Sequence, residues 1–255
     1  MKAIIIAAGK GTRIERLNSD LPKCMLEVGA KTILERQVHA LNSNGITDIS
    51  VIKGYRKEKI GYPGLKFYIN DEYESNNILN SLFYAEDEMN DDVIISYSDI
   101  LYGNEIVRRL GESKKEITIV VDTKWEEYYK GRSDHPTEEA EKVVLDAEDK
   151  VLEIGKAIKK NDNVSGEFIG MMKLTKTGTD IFKRYFRRVK KLFWGKPFVK
   201  APAFEKAYLT DMLQYLVDNG VEINSVIIEK GWYEIDTVED YEKVKKTFNL
   251  YDNRD

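Results

Sequence analysis

Residues 1–13 read MKAIIIAAGKGTR. From Lys2 to Ala8 the run is apolar after its lysine, the pattern of a strand buried on both faces. Gly9 and Gly11 break it, and Arg13 follows. Glycines adopt backbone angles that other residues avoid and let a ligand approach the main chain. Successive N–H groups in such a turn form a cradle for an anion. The arginine adds a forked, permanently charged donor suited to phosphate. Ala7 and Ala8 carry little side chain, so a flat group can lie close to the backbone. A plain strand-to-helix turn with a solvent-facing arginine fits the same residues. Two familiar phosphate motifs are excluded: the dinucleotide fingerprint requires a third glycine where Ile14 stands, and the Gly-Lys-Ser/Thr of the P-loop is absent.

Working outward, strand-like and helix-like segments alternate. Residues 32–44 have helical spacing, with Ile33, Leu34, Val38 and Leu41 on one side. Thr32 with Glu35 reads as a capping box, and Asn44-Gly45 as a stop. Strands are expected over 48–53, 65–69, 93–97 and 117–121, and a helix over 75–89. The second half is less regular. Paired strands are expected at 142–146 and 151–155, and further strands at 166–174, 221–228 and 232–235. Helices are expected at 177–191 and 205–219. A last helix begins at Val238 with Thr237 as N-cap, and Val238, Tyr241, Val244, Phe248 and Tyr251 share one face. This alternation predicts an α/β fold: a Rossmann-like, mostly parallel (mixed) sheet flanked by helices.

The chain has 255 residues and a formal net charge of −4. That length buries a full core without disulfides or metals, and no linker or repeat divides it, so one domain over 1–255 is expected. The charge argues against general nucleic-acid binding. Cys24 is the one cysteine, so an intrachain disulfide is impossible. No apolar run is long enough to span a membrane. A cytoplasmic protein is expected, and a homodimer is compatible with the sequence.

Residues 21–26 read LPKCML. Lys23 follows a rigid proline and is a candidate point charge for a phosphate, or an ordinary surface lysine. Taken together, Ala7, Ala8, Gly9, Gly11, Arg13, Pro22 and Lys23 closely resemble the signature of the nucleotidyltransferase superfamily. The resemblance implies a nucleotidyltransferase (GT-A-like) fold, with a nucleotide-binding part over about 1–122, an acceptor-binding part over about 123–235 and a C-terminal helix over 237–250. It implies that the glycine turn grips a triphosphate, with Arg13 and Lys23 as catalytic cations.

Attack on an α-phosphate builds charge as pyrophosphate leaves, and Mg²⁺ is the usual counter-ion, held by one or two carboxylates and phosphate oxygens. Asp99, at the end of the strand 93–97, and Asp236, in WYEID, stand where strands meet loops. Asp99 also fits a turn role, and Asp236 a helix start. The resemblance favours Mg²⁺ binding by both.

The segments SNNILNSL (75–82), VDTKWEEYYKGRSDHPTEEAEKV (121–143), IGK (154–156), GEFIGMMKL (166–174) and AYLTDMLQYL (207–216) resemble the phosphocholine and 2-aminoethylphosphonate cytidylyltransferases, the latter most. The implied nucleotide is CTP. The implied reaction transfers CMP to 2-aminoethylphosphonate or a related phosphonate and releases pyrophosphate. Asn76, Asn77 and Ser81 offer donors and acceptors for cytosine, although a helix cap at Ser75 or Asn76 competes for that role. Lys156 is the best cation for the acceptor phosphonate, ahead of Arg132 and Lys142. Its amine calls for carboxylates or aromatic faces, available in Glu167, Asp211, Trp125 and Trp232. Phosphocholine or a sugar phosphate remains an alternative acceptor. A nucleotide-sugar glycosyltransferase and a non-catalytic nucleotide sensor are the alternatives of other kinds.

Some residues fall outside this reading. His39 lies opposite its helix's apolar stripe, and His135 precedes Pro136 in a loop, so no zinc site is expected. Cys24 reads as buried packing. The basic stretch 182–194 reads as a core-packed helix with a solvated charged face, with a membrane-surface helix as the alternative.

Overall fold

The computed structural model describes residues 1–18, 20–159 and 163–252. β1 (Lys2–Ala7) runs into the glycine turn and the short α1 (Glu15–Asn18); β2 (Glu27–Val28) and β3 (Lys31–Thr32) form a small hairpin before α2 (Ile33–Ser43). Next come β4 (Asp48–Lys53), β5 (Lys66–Ile69), α3 (Ile78–Leu82), β6 (Val93–Tyr97), β7 (Ile100–Tyr102), α4 (Asn104–Glu112) and β8 (Ile117–Asp122). The second half holds α5 (Glu126–Tyr129), β9 (Lys142–Leu145), β10 (Val151–Gly155), β11 (Gly166–Leu174), α6 (Lys176–Phe193), α7 (Leu209–Asp218), β12 (Asn224–Ile228), β13 (Trp232–Glu234) and α8 (Val238–Asp252).

A nine-stranded sheet runs β10-β9-β11-β6-β1-β4-β5, with β8 paired to β11 and β12 to β8. β6, β1, β4 and β5 are parallel, as the alternating pattern predicts. β11 enters antiparallel between β6, β8 and β9. Its register pairs Leu174 with Val93 and Met171 with Ser96. The start of β11 therefore projects past the carboxyl end of β6, where ligands bind in open α/β sheets. Gly170 permits this course. It sits at φ +81°, and a Cβ there would lie 2.4 Å from the Tyr97 ring, at an irregularity in the pairing of β11 with β8.

Both faces of the sheet are covered. One core packs α3, α6 and α7, through residues such as Leu79, Phe182 and Leu213, against Ile4, Ile95 and Met172. The other packs α2 and α4, through Leu34, Val38 and Leu110, against Ile5, Val51 and Ile94. Cys24 belongs to this second core. Tyr241 and Val244 of α8 cover Ile14, Leu26 and Val28 in a third cluster, with Val238 and Phe248 packed against it; the side chain of Tyr251 lies outside the described residues. The Thr32–Glu35 capping box forms as the sequence predicts. Thr237 Oγ1 likewise accepts from Asp240 N, and Asp240 Oδ2 from Thr237 N.

Two helices are shorter than predicted. The helix expected over 75–89 begins only at Ile78, because Asn77 is extended and its Oδ1 accepts from Ile78 N. Ser75 and Asn76 bond back to Glu72 O. The remainder tightens into a 3-10 turn at Phe83–Glu88, bent at Ala85. The buried stripe of Leu79, Leu82, Ala85 and Met89 survives, because the side-chain period outlasts the change of helix type. The helix expected over 205–219 begins at Leu209, where Asp211 caps it by accepting from Tyr208 N at 2.8 Å. In the basic segment, Phe182, Phe186 and Val189 are buried in the core, so the face that a membrane would take is already covered. Among the described residues no helix is long and apolar enough to cross a membrane.

Candidate active site

A cleft of about 280 Å³ opens at the carboxyl ends of β1 and β6. The glycine turn forms one side: Ala8, Gly9, Gly11 and Arg13 all line it. Gly11 holds φ +64°, and its carbonyl accepts from Ile14 N at 3.1 Å. The backbone at Ala8 is closely packed from the side of β4. Gly54, after β4, packs so closely that a Cβ on it would stand 2.7 Å from Ala8 O. Ala7 does not reach the cleft. Successive residues on an extended chain face opposite sides, and Ala7 lies in the core beneath α2 while Ala8 lies in the other.

The two aspartates meet through a second, two-stranded sheet. β13 pairs antiparallel with β7, Glu234 opposite Ile100, and Ile235 N then donates to Asp99 O at 2.9 Å. Lys23 Nζ bridges the two side chains, 2.9 Å from Asp99 Oδ2 and 2.7 Å from Asp236 Oδ1. Burial alone would push this ammonium down, but Asp99 and Asp236 outweigh it and hold it well above the ordinary lysine value. Burial would likewise raise the Asp236 carboxyl, yet Lys23 and then Arg13 hold it well below the usual range. Arg13 pairs with Asp236 and, at 3.2 Å, with Glu139. Asp99 and Asp236 thus direct hard oxygen donors at one cationic point beside the anion cradle, which suits a divalent ion shared with phosphate oxygens.

Arg132 stands behind this pair rather than in the cleft. It is 2.7 Å from Asp240 Oδ1, and Asp240 Oδ2 accepts from Asp236 N at 3.1 Å. It fixes the backbone that carries Asp236. Its Nη2 also donates to His135 Nδ1 at 2.8 Å. His135, set aside in the sequence, lines the cleft. With Glu234 and Asp236 it forms the one cluster of three possible metal-ligating groups among the described residues. Burial pushes its imidazole down to about 4, so it is neutral at pH 7 with the Nδ1 lone pair already engaged.

Across the cleft, Asn76, Asn77 and Ser81 line the wall. Asn70, fully buried, donates to Asn76 Oδ1 (2.9 Å) and Ser81 Oγ (2.8 Å). Asn77 is the helix cap, in place of the Ser75 or Asn76 weighed from sequence, and its Nδ2 donates to Lys206 O at 3.1 Å.

At the remaining end, Lys156 Nζ is 3.2 Å from Glu139 Oε2 and 4.6 Å from the Tyr208 ring centroid. Glu139 therefore spans Arg13 and Lys156. Glu167 lines this end too, with Glu141 and Glu234. Asp211 does not line the cleft; both its oxygens are spent on backbone N–H groups of Lys200 and Tyr208. Lys142 Nζ is turned to main-chain carbonyls, Trp125 packs on Tyr129 and Ala140, and Trp232 lines the cleft while donating to Asp122. His135, Glu139, Glu141, Tyr97 and Tyr208 are cleft residues that sequence reasoning missed. The first three fall within the segment 121–143, quoted for its resemblance without roles for them.

Burial, with Glu141 and Asp122 nearby, pushes the Glu167 carboxyl up to about 8 from an ordinary 4.5. Between those values the folded protein retains a proton that the unfolded chain has lost, so this group lowers stability as pH rises through the window. Glu167→Gln is expected to raise the melting temperature at pH 7.5 by roughly 3–6 °C and to leave it unchanged near pH 4.5. Thermal melts across that range check this; equal melting temperatures at pH 7.5 would contradict it.

A fold of this topology with a glycine turn, paired cations and facing aspartates defines a nucleotidyltransferase. The family profile of the MobA-like NTP transferase domain matches residues 3–227, and the chain belongs to that family. It is 32% identical to the CTP:phosphoglutamine cytidylyltransferase of Campylobacter jejuni, over 95% of this chain and 98% of that one. The choline-phosphate cytidylyltransferase of Streptococcus pneumoniae is 36% identical over 41% of this chain and 47% of its own. The 2-aminoethylphosphonate cytidylyltransferase of Lancefieldella rimae is 37% identical over 33% of this chain and 37% of its own. Among solved structures, the S. pneumoniae CTP:phosphocholine cytidylyltransferase superposes with a TM-score of 0.74 at 23% identity, covering 96% of this chain and 98% of that one. The inositol-1-phosphate CTP transferase of T. maritima gives 0.72 at 22%, covering 97% and 96%. These two share its fold.

Proposed function

We propose that the protein is a cytidylyltransferase that moves CMP from CTP to a small phosphonate or phosphate acceptor and releases pyrophosphate. The observation that carries this reading is the clamp of Asp99 and Asp236 on Lys23 beside the glycine turn, with Arg13 and Lys156 in the same cleft. An acceptor oxygen attacks the α-phosphorus of CTP, the bond to the bridging oxygen breaks, and its electrons leave with pyrophosphate. The acceptor's oxyanion is itself the nucleophile, so no enzymic base is required. Backbone N–H groups at Gly9 and Gly11 and the Arg13 guanidinium hold the triphosphate. Lys23 steadies the α-phosphate, and Asn76 and Ser81 lie where they can meet the base. Lys156 orients the acceptor. Asp99 and Asp236 would hold Mg²⁺, which when bound neutralises charge on the phosphates. Positioning and charge neutralisation supply the rate.

The acceptor we favour from the sequence is 2-aminoethylphosphonate or a related phosphonate. The C. jejuni relative, matched over 98% of its length, favours phosphoglutamine, and the S. pneumoniae relative phosphocholine. Pyrophosphate release with CTP and Mg²⁺ is to be compared for 2-aminoethylphosphonate, phosphoglutamine, phosphocholine and glucose-1-phosphate. Release with one acceptor establishes the reaction and its substrate together. Absence of CTP binding would overturn the reading.

A further inference from the structure

We propose that Glu139 holds the place of a substrate phosphoryl oxygen between Arg13 and Lys156, and that substrate binding displaces it. The proposal rests on the transfer reaction above and concerns how its two cations are set for an anion before one arrives.

Arg13 lies in the turn after β1 and Lys156 directly after β10, far apart in the chain. A single atom joins them. Glu139 Oε2 accepts from Arg13 Nη2 at 3.2 Å and from Lys156 Nζ at 3.2 Å. The other arm of the guanidinium, Nη1, pairs with Asp236. Burial would raise the Glu139 carboxyl, but Lys156 and Arg13 outweigh it and hold it below the ordinary glutamate value. It is therefore an anion at neutral pH. A charged oxygen shared by an ammonium and one arm of a guanidinium is also what a phosphate or phosphonate oxygen makes of the same two groups. An incoming anion can reach this point, because the side chains of Glu139, Arg13 and Lys156 are 39%, 43% and 30% exposed.

The triphosphate of CTP and the phosphoryl group of the acceptor both bring negative charge to these cations, and a carboxylate left between them is repelled. The backbone around Glu139 is held on both sides, so the side chain moves alone. Arg132 is paired with Asp240, Ser133 N donates to Glu239, Glu139 N donates to Pro136 O, and Ala140 is buried against Trp125 and Tyr129. Until substrate enters, the carboxylate offsets the repulsion between Arg13 and Lys156 and spaces them around one oxygen. Both ion pairs must then break, so Glu139 weakens the binding that it prepares. It is a positioning residue that acts through Arg13 and Lys156. The displacing oxygen belongs to CTP or to the acceptor; its chemistry is the same, and the test separates the two sources.

Binding is measured by calorimetry at pH 7.5 in EDTA, so that the readout depends neither on turnover nor on a metal. The ligands are CTP and methylphosphonate, each alone. Glu139→Gln keeps the shape and removes the charge. It is expected to bind at least one of the two roughly threefold to tenfold more tightly than the unmodified protein does, the scale of two part-exposed ion pairs. The ligand that gains identifies the substrate whose oxygen takes the place. Glu139→Ala, which removes the side chain as well, is the second variant and is expected to show the same gain. Loss of a merely structural contact would lower the melting temperature without tightening any anion. In the transfer reaction, KM for the same substrate is expected to fall by a similar factor. Unchanged or weaker binding of both ligands by both variants overturns the proposal. Tighter binding of methylphosphonate by the variants, with CTP bound by none of the three proteins, would support this place for an anion and remove the transfer reaction instead.

Discussion

Asp236→Asn is expected to lower turnover at saturating CTP and acceptor by about 100-fold or more, and Asp99→Asn by a similar factor, the scale of losing a key electrostatic contact. Asparagine preserves the outline of each side chain. The backbone at position 236 stays fixed by Asp240, whose carboxylate accepts from Asp236 N and Thr237 N and is paired with Arg132. What is lost is negative charge at the point where Asp99 and Asp236 converge. Each variant also takes a partner from buried Lys23, so a lower melting temperature is expected to accompany the loss of turnover. Steady-state pyrophosphate release checks it, alongside melting curves for both variants. Near-normal turnover in both would remove the assignment of a metal to these two carboxylates.

Lys23→Met is expected to reduce turnover by about 100-fold as well, with a further signature in the absence of substrate. Lys23 is buried, and its ammonium occupies the position between the two aspartates. A divalent ion bound by both aspartates would have to displace this ammonium. Without nucleotide, Mn²⁺ should bind Lys23→Met more tightly than the unmodified protein. Paramagnetic relaxation of water protons reads this binding directly. Equal affinities would mean that Lys23 does not hold the position against a cation.

Of the residues the sequence proposes for the nucleotide, all but Ala7 line one cleft. The strand at 2–8, the two glycines and Arg13 are contiguous, so local rules suffice to bring them together. Lys23 and the aspartates were legible as charged residues at strand and turn boundaries. Their meeting was not, because it depends on the register of β7 against β13, a non-local pairing that no local pattern encodes. The residues proposed for the acceptor divide for the same reason. Lys156 and Glu167 face the cleft, whereas Arg132 and Asp211 are spent behind it on Asp240 and on the start of α7. A carboxylate that caps a helix and one that meets a ligand look alike in one dimension. His135, before Pro136, and Glu139 lie in a loop segment that no local rule places against the cleft. Helix lengths failed at Asn77 and Asp211, where a polar side chain takes a backbone N–H and moves the start of the helix. Antiparallel β11 was visible as an apolar run, but its direction was not.

The β7–β13 ladder has a consequence for how activity arises during synthesis. The glycine turn, Lys23 and Asp99 all belong to the early part of the chain, while Asp236 follows the last strand to be made. A nascent chain can therefore complete its central sheet and cradle while still holding only half of the paired carboxylates. β13 pairs with β7, and the helix that follows it, α8, packs over Ile14 and Val28, so both of these contacts with the early part of the chain wait for the last residues to be made. Loss of a short stretch at the far end would spare the two larger cores and remove Asp236 from its place beside Asp99.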